Sequence, residues 1–371
     1  METGFTGNVQ NGGARCTPTI SIAMAVYNGG RFLPAMLDSL AAQTLLPDEL
    51  VVCDNCSTDH SRALIEEFAR CAPFTVKLYA NEHNLGPDAN FERAFGLCTK
   101  EIIFSADCDD VWLPHKLAAM AACFAQSDEV GLVMCDRELA DEHLQPLGRT
   151  WCGEVGCGPR VHRRIARGRL EALLRTRLGG NVMAFRTRFL PLILPIEEPW
   201  YVGYDHWVGM LVGSVARVVF VPQPLVLFRL HPNQASQKMT LLDPSEYLRQ
   251  RITSRPVARY MLLAPLVLKR LLVTDSFRAQ PGALTQIADW AAHWAARMAL
   301  PRAFVPRLAA VAVELASLRY HRYSNGFRSV IKDAMLGGAE FDSGVVSEEP
   351  WFSSGAPPLT AEPRATSDAR S

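Results

Sequence analysis

Before residue 127 the chain runs four times through the same cycle: a short apolar run, a polar turn, a helix-periodic segment. That rhythm constrains the fold more than any other feature. Residues 19–26 (Thr-Ile-Ser-Ile-Ala-Met-Ala-Val) are apolar on both faces of an extended chain, as in a parallel strand covered by helices. Tyr27-Asn28-Gly29-Gly30 turns the chain, and 31–43 places Phe32, Leu33, Met36, Leu37 and Leu40 on one helical stripe. Strand 49–54 follows, then a helix to about residue 70 that Ser57 or Thr58 can cap. Strand 74–80 leads to Gly86-Pro87, where a proline without an N–H opens a helix at no cost. Strand 101–106, helix 114–126 and strand 130–135 complete the series. Such alternation predicts an α/β fold: a Rossmann-like, mostly parallel sheet, helices on both faces and right-handed crossovers.

In that architecture ligands bind beyond the carboxyl ends of the strands. The four tips carry Tyr27-Asn28, Asp54-Asn55, Asn81 to Asn84, and Asp107 to Asp110, so one rim is lined with hydrogen-bonding side chains. The fourth tip, Ser105-Ala-Asp107-Cys-Asp109-Asp110-Val-Trp112, is the most acidic. Side chains alternate along a strand, which directs Asp107 and Asp109 the same way. Two carboxylates about 4 Å apart repel by ~1 kcal/mol in water and ~4 kcal/mol in a protein cleft. Such a pair shares a proton or holds a cation, and oxygen ligands favour Mg²⁺ or Mn²⁺. The plainer alternative is an acidic turn capping the next helix. Neither G-x-G-x-x-G nor G-x-x-x-x-G-K-[ST] is present. A nucleotide on this rim would therefore need its phosphates neutralised otherwise, and a divalent ion on Asp109 is the candidate.

Composition excludes some classes. With 371 residues, 49% of them hydrophobic and 20% charged, the chain can bury a large core and an appendage. Lys+Arg and Asp+Glu are equal at 38, which argues against a uniformly basic nucleic-acid binder. Seven arginines crowd 160–177, a solvated face or a pocket for an anion. The ten cysteines form no regular framework, and 1–17 is polar and Gly-rich without an apolar core. Both features predict reduced thiols in a cytoplasmic protein. Cys53-x-x-Cys56 lies where a strand becomes a turn, and no Cys or His pair completes Cys152-x4-Cys157 at standard zinc spacing. Neither is expected to be a redox or zinc site. No apolar run reaches the ~18 residues of a membrane span.

Two later stretches carry chemistry. In Trp200-Tyr-Val-Gly-Tyr-Asp205-His-Trp207 one acid stands among four aromatics. Restricted water raises a carboxyl pKa toward general-base duty, and the same acid can cap helix 207–214. Segments 218–221 and 225–228 read as a hairpin bent at Pro222 and Pro224, ending in Arg229-Leu-His231-Pro-Asn233, with Arg229 and His231 on one face.

Taken in order, Val26-Tyr-Asn-Gly29, Asp54-Asn-Cys-Ser-Thr-Asp59, Asn84-Leu-Gly86, Ser105 to Trp112, Asp205-His-Trp207 and Phe228 to Asn233 resemble the family 2 glycosyltransferases of the GT-A fold, most closely rhamnosyltransferase-like members. The resemblance covers residues 19–237 and implies an inverting, metal-dependent transfer of a sugar from a nucleotide-diphosphate donor. The acceptor would be a hydroxyl of a glycan or lipid-linked molecule in cell-surface polysaccharide synthesis, and rhamnose is one candidate sugar. It implies that Ala25, Tyr27 and Asp54 hold the base and that Asn84 and Gly86 line the nucleotide pocket. Asp107 would lie by the ribose and diphosphate, Asp109 would bind Mg²⁺ or Mn²⁺ with His231 as a further ligand or a diphosphate contact, Arg229 would face the diphosphate, and Asp205 would be the base. The sequence departs from the family pattern at Cys56, where glycine is common, and at Ala25, where proline is.

The resulting division is a leader (1–17), a GT-A catalytic domain (18–240), a helical region (241–336) and a disordered tail (337–371). Helices are expected at 244–252, 257–273, 284–298 and 301–336. The apolar stretch 260–268, flanked by Arg259, Lys269 and Arg270, is either core or a peripheral contact with the cytoplasmic face of a membrane. Two other functions fit parts of the pattern. A sugar nucleotidyltransferase uses a similar sheet but needs a Gly-rich phosphate loop that is missing here. A degenerate GT-A module acting as an assembly partner would not need Asp109, Asp205 and His231.

Overall fold

The computed structural model describes residues 17–176, 179–197, 203–232, 234, 257–324 and 326–336. The expected leader up to residue 16, helix 244–252, the 337–371 tail, Trp200, Tyr201 and Asn233 lie outside the described residues.

Four parallel strands form the first half of the sheet: β1 (Ile20–Val26), β2 (Glu49–Asp54), β3 (Thr75–Ala80) and β4 (Ile102–Asp107). They lie in the order β3-β2-β1-β4, with Val26 beside Asp54 and Ala25 beside Asp107, so the tips align on one rim. The crossovers are α1 (Leu33–Ala41), α2 (Ser61–Ala69) and α3 (Pro87–Leu97). The two-faced apolarity of β1 is spent as expected. Ile20, Ile22, Met24 and Val26 enter the core under α1 and α4 (Lys116–Gln126), while Ala23 enters the opposite core against α3. Helix α2 begins later than the sequence suggests. Asp59 accepts from the Ser61 N–H at 3.0 Å, and Ser57 and Thr58 instead bond Asn28.

Beyond β4 the sheet is mixed rather than mostly parallel. A two-residue β5 (Val111–Trp112), β6 (Val130–Ala140), β7 (Pro146–Thr150), β8 (Met183–Arg186) and β9 (Arg217–Arg229) extend it as β4-β8-β6-β9-β5, with β7 on β6. Strand β8 is antiparallel to both β4 and β6. The expected 218–228 hairpin does not form. Residues 217–229 run as one strand, parallel to β6, and the pairing steps from Cys135–Val221 to Asp136–Pro224. Pro222 lies in that irregularity, where a residue without an N–H breaks no ladder bond.

Short helices α5 (Trp151–Val155), α6 (Pro159–Ala166) and α7 (Leu170–Arg175) follow β7; α8 (Leu190–Ile193) and α9 (Tyr204–Val215) precede β9. The C-terminal region is helical, as expected: α10 (Val257–Val273), α11 (Ala283–Met298), α12 (Phe304–Ala316), α13 (Arg319–Tyr323) and α14 (Phe327–Leu336). The single helix expected over 301–336 is three, broken at Leu318 and Gly326, both with left-handed backbone. Leu263, Ala264 and Val267 of α10 are fully buried in the α3–α9 core, which makes the apolar stretch a core helix. Arg270 turns inward to the carbonyls of Leu194 (2.8 Å) and Pro195 (2.9 Å), and the Arg259 side chain lies outside the described residues. Among the described residues no helix is long and apolar enough to cross a membrane.

One charged residue locks the end of the sheet opposite the rim. Glu49 is 1% exposed and accepts from Ser21 Oγ (2.6 Å), Lys77 Nζ (2.6 Å) and both the N–H (2.7 Å) and hydroxyl (3.0 Å) of Thr99. Burial alone would raise its pKa, but these bonds outweigh it and bring the carboxyl from 4.5 down to about 2. A lowered carboxyl stabilises the fold above its unfolded pKa and loses that contribution as pH falls. Glu49→Gln should therefore cost about 3 kcal/mol near neutrality. The gap between variant and wild type in urea unfolding should narrow below pH 4.5 and close near pH 2.

Candidate active site

The rim is held by a chain of asparagines. Asn55 Nδ2 donates to Asn84 Oδ1 (2.7 Å), and its Oδ1 accepts from Asn81 Nδ2 (2.7 Å) and the Leu85 N–H (2.8 Å). Asn84 in turn accepts from the Gly86 N–H at 2.9 Å, so Asn84 and Gly86 are fixed together at the third tip. Gly86 has φ +81, a conformation that favours glycine just before Pro87 opens α3. Tyr27 is exposed beside half-buried Ala25. Asp54 is fully buried, accepts from the Ser57 N–H at 3.3 Å and lies 3.7 Å from Arg62, so its carboxylate shapes the turn from within.

Asp107 ends β4, and the next two residues turn rather than extend. The turn gathers three acids: carboxylate oxygens of Asp107, Asp109 and Asp110 lie within 4.8 Å of one another. Burial, then repulsion by Asp109 and Asp110, pushes Asp107 well above the usual carboxylate range. Burial and the Asp109 charge push Asp110 up to about 7. Arg137 offsets only part of this repulsion, and three oxygen donors this close suit a hard divalent ion. The donor set therefore fits the expected Mg²⁺ or Mn²⁺.

His231 is brought to the same place from β9. Its Nε2 is 3.0 Å from Asp109 Oδ2, and its ring lies 4.4 Å from that of Phe32. Arg229 is more structural than the sequence suggests. Its Nε donates to the Asp109 carbonyl (2.8 Å) and Nη1 to the Glu142 carbonyl (2.7 Å), while its backbone N–H donates to Asp110 (3.1 Å). Among the described residues Nη2 is buried without a partner, which leaves one donor for an incoming anion.

Asp205 is in the first turn of α9, whose N-cap is Gly203, so the expected capping role is not what it performs. Its Oδ1 accepts from the His206 N–H (2.7 Å) and pairs with His206 Nδ1 (2.8 Å). Its charge acts on Asp107 and Arg137. Of the aromatics near it in sequence, Trp207 is wholly buried with Nε1 on the Ile193 carbonyl (2.8 Å). Tyr204 packs with its ring centroid 4.1 Å from that of Phe91, tilted by 31°.

Sequence reasoning missed the cations and the amide behind the acids. Asn181 donates to Asp110 and accepts from Arg137 Nη1 at 2.8 Å. Arg137 is clamped between Trp151 (4.3 Å) and Phe228 (4.1 Å). Lys116, fully buried, donates to the Asn181 carbonyl (2.6 Å) and lies 3.4 Å over the Trp112 ring; burial brings its pKa down to about 7. Gly179-Gly180, just before Asn181, is the one signal in the sequence. A side chain on Gly180 would collide with the Tyr204 hydroxyl.

A parallel half-sheet feeding aligned polar tips, an acid triplet after the fourth strand and a mixed extension define the GT-A class of glycosyltransferase fold. Residues 21–187 match the family described as Glycosyl transferase family 2. An uncharacterized glycosyltransferase of Nostoc sp. is 28% identical over 221 residues, 57% of this chain and 65% of that protein. The O-antigen chain rhamnosyltransferase RfbN of Salmonella typhimurium is 28% identical over 128 residues, 34% of this chain and 40% of that protein. In neither does the match reach two thirds of the relative's length. Among solved structures, S. aureus TarS has a similar fold, with a TM-score of 0.51 at 17% identity, covering 84% of this chain and 54% of that one.

Proposed function

We propose that the protein is an inverting glycosyltransferase that moves a sugar from a nucleoside-diphosphate donor to a hydroxyl of a glycan or lipid-linked acceptor. The observation that carries this reading is the acid triplet with His231 on Asp109 and Asp205 within electrostatic reach. Asn84, Gly86, Ala25 and Tyr27 lie where a nucleoside would rest, with buried Asp54 supporting the turn beneath it. Asp107, Asp109 and Asp110 would hold the divalent ion, with His231 beside them. Bound there, the ion supplies positive charge to the departing diphosphate. The free Nη2 of Arg229 adds a donor for the same charge. Asp205 takes the proton of the acceptor hydroxyl as that oxygen attacks the anomeric carbon and the nucleoside diphosphate leaves from the opposite side. One displacement inverts the centre, and the enzyme forms no covalent bond.

Rhamnose is a donor sugar in keeping with the RfbN likeness, and polysaccharide synthesis with that protein's being an O-antigen chain rhamnosyltransferase. Thermal shifts with UDP, dTDP and GDP, each with and without Mn²⁺, test the donor half. One nucleotide should raise Tm only when the ion is present. No shift with any of the three would count against a donor site here.

A further inference from the structure

We propose that Cys152, Cys157 and His162 form a metal centre separate from the acid triplet, a three-ligand site for a thiophilic divalent ion of the Zn²⁺ kind. The spacing, C-x4-C-x4-H, fits no standard zinc signature, but the local fold closes it. Cys152 is on α5, Gly156 ends that helix in a left-handed turn (φ 71), and the Cys157 N–H returns to the Cys152 carbonyl at 2.8 Å. Pro159 then starts α6, which carries His162 back over the turn. One atom from each residue, two sulfurs and an imidazole nitrogen, lies within 4.8 Å of the others.

The histidine is prepared for a ligand. Its ring stacks on Phe220 with centroids 4.0 Å apart and planes at 19°. Nε2 is buried and has no partner among the described residues, and an unmet buried polar atom is costly. Cys157 is 1% exposed, and buried Asp136 anchors Cys152 by accepting its N–H at 3.0 Å. Two sulfurs and one nitrogen select a borderline-soft ion over Mg²⁺ or Mn²⁺, and three ligands leave a fourth position for water. Binding would release the thiol protons. The ion would tie α5 and α6 together beside Asp136 of β6, next to the shelf of Trp151 and Phe228 that clamps Arg137.

Titrating the reduced full chain with Co²⁺ tests this. Expected is a thiolate-to-cobalt charge-transfer band that saturates at one equivalent and is displaced by Zn²⁺. Asp109→Asn should keep the band, because an oxygen-only site gives none, whereas Cys157→Ser should lose it. His162→Gln, checked by circular dichroism for folding, should weaken cobalt binding by roughly tenfold or more. Absence of the band, its survival in a Cys152→Ser/Cys157→Ser variant, or recovery of Cys152 and Cys157 as a disulfide that excludes metal would overturn the proposal.

Discussion

Asp205→Asn should lower kcat for sugar transfer by about 10²–10⁴-fold while leaving the donor KM nearly unchanged. The carboxylate is held from one side only. Both of its bonds fall on Oδ1, from the His206 backbone and ring, and among the described residues Oδ2 takes none. Asparagine preserves the shape and can still receive the His206 N–H, but it cannot take a proton from the acceptor. The donor site, built on other strands, should persist. Steady-state release of nucleoside diphosphate, with nucleotide binding by calorimetry beside it, separates the two effects. A variant with wild-type kcat would remove Asp205 from the chemistry, and one that no longer binds donor would give it a different role.

Asp109→Asn should act on the donor as well as on the rate, with a loss of about 10³-fold in kcat/KM. Asp109 is the acid that His231 touches, and its charge contributes to the raised pKa of both Asp107 and Asp110. Removing that charge relieves the repulsion, so the fold should be no less stable while affinity for Mn²⁺ falls. Divalent-ion titration monitored by donor binding reads this directly. An equally stable variant with unchanged ion dependence would move the metal from this residue.

The first half of the fold was legible because its strands are apolar on both faces and each ends at a polar tip. Periodicity was enough to place β1 to β4 and to align their rims. The hairpin reading failed because Pro222 and Pro224 look like a bend, whereas a pairing irregularity absorbs them within one long strand. Alternation along β4 predicted that Asp107 and Asp109 share a side; the chain turns after Asp107, and the turn recruits Asp110 as well. Cys56, noted where glycine is common, has φ 63, so the backbone there has the shape glycine favours even though the residue differs. Lys116 and Arg137 were invisible for another reason. A charge on a helix or strand reads as solvent-facing, and only tertiary packing shows that Trp112, Trp151 and Phe228 cover them. The same holds for Cys152, Cys157 and His162, whose residues meet through two short helices rather than through a known spacing.

Turnover of a panel of nucleotide sugars, followed by released nucleoside diphosphate in Mn²⁺ and in EDTA, tests the central claim most directly. One donor should be consumed, only with the divalent ion, and the anomeric configuration of the product should be opposite to that of the donor. Equal turnover in EDTA, or a product that keeps the donor's configuration, would contradict it.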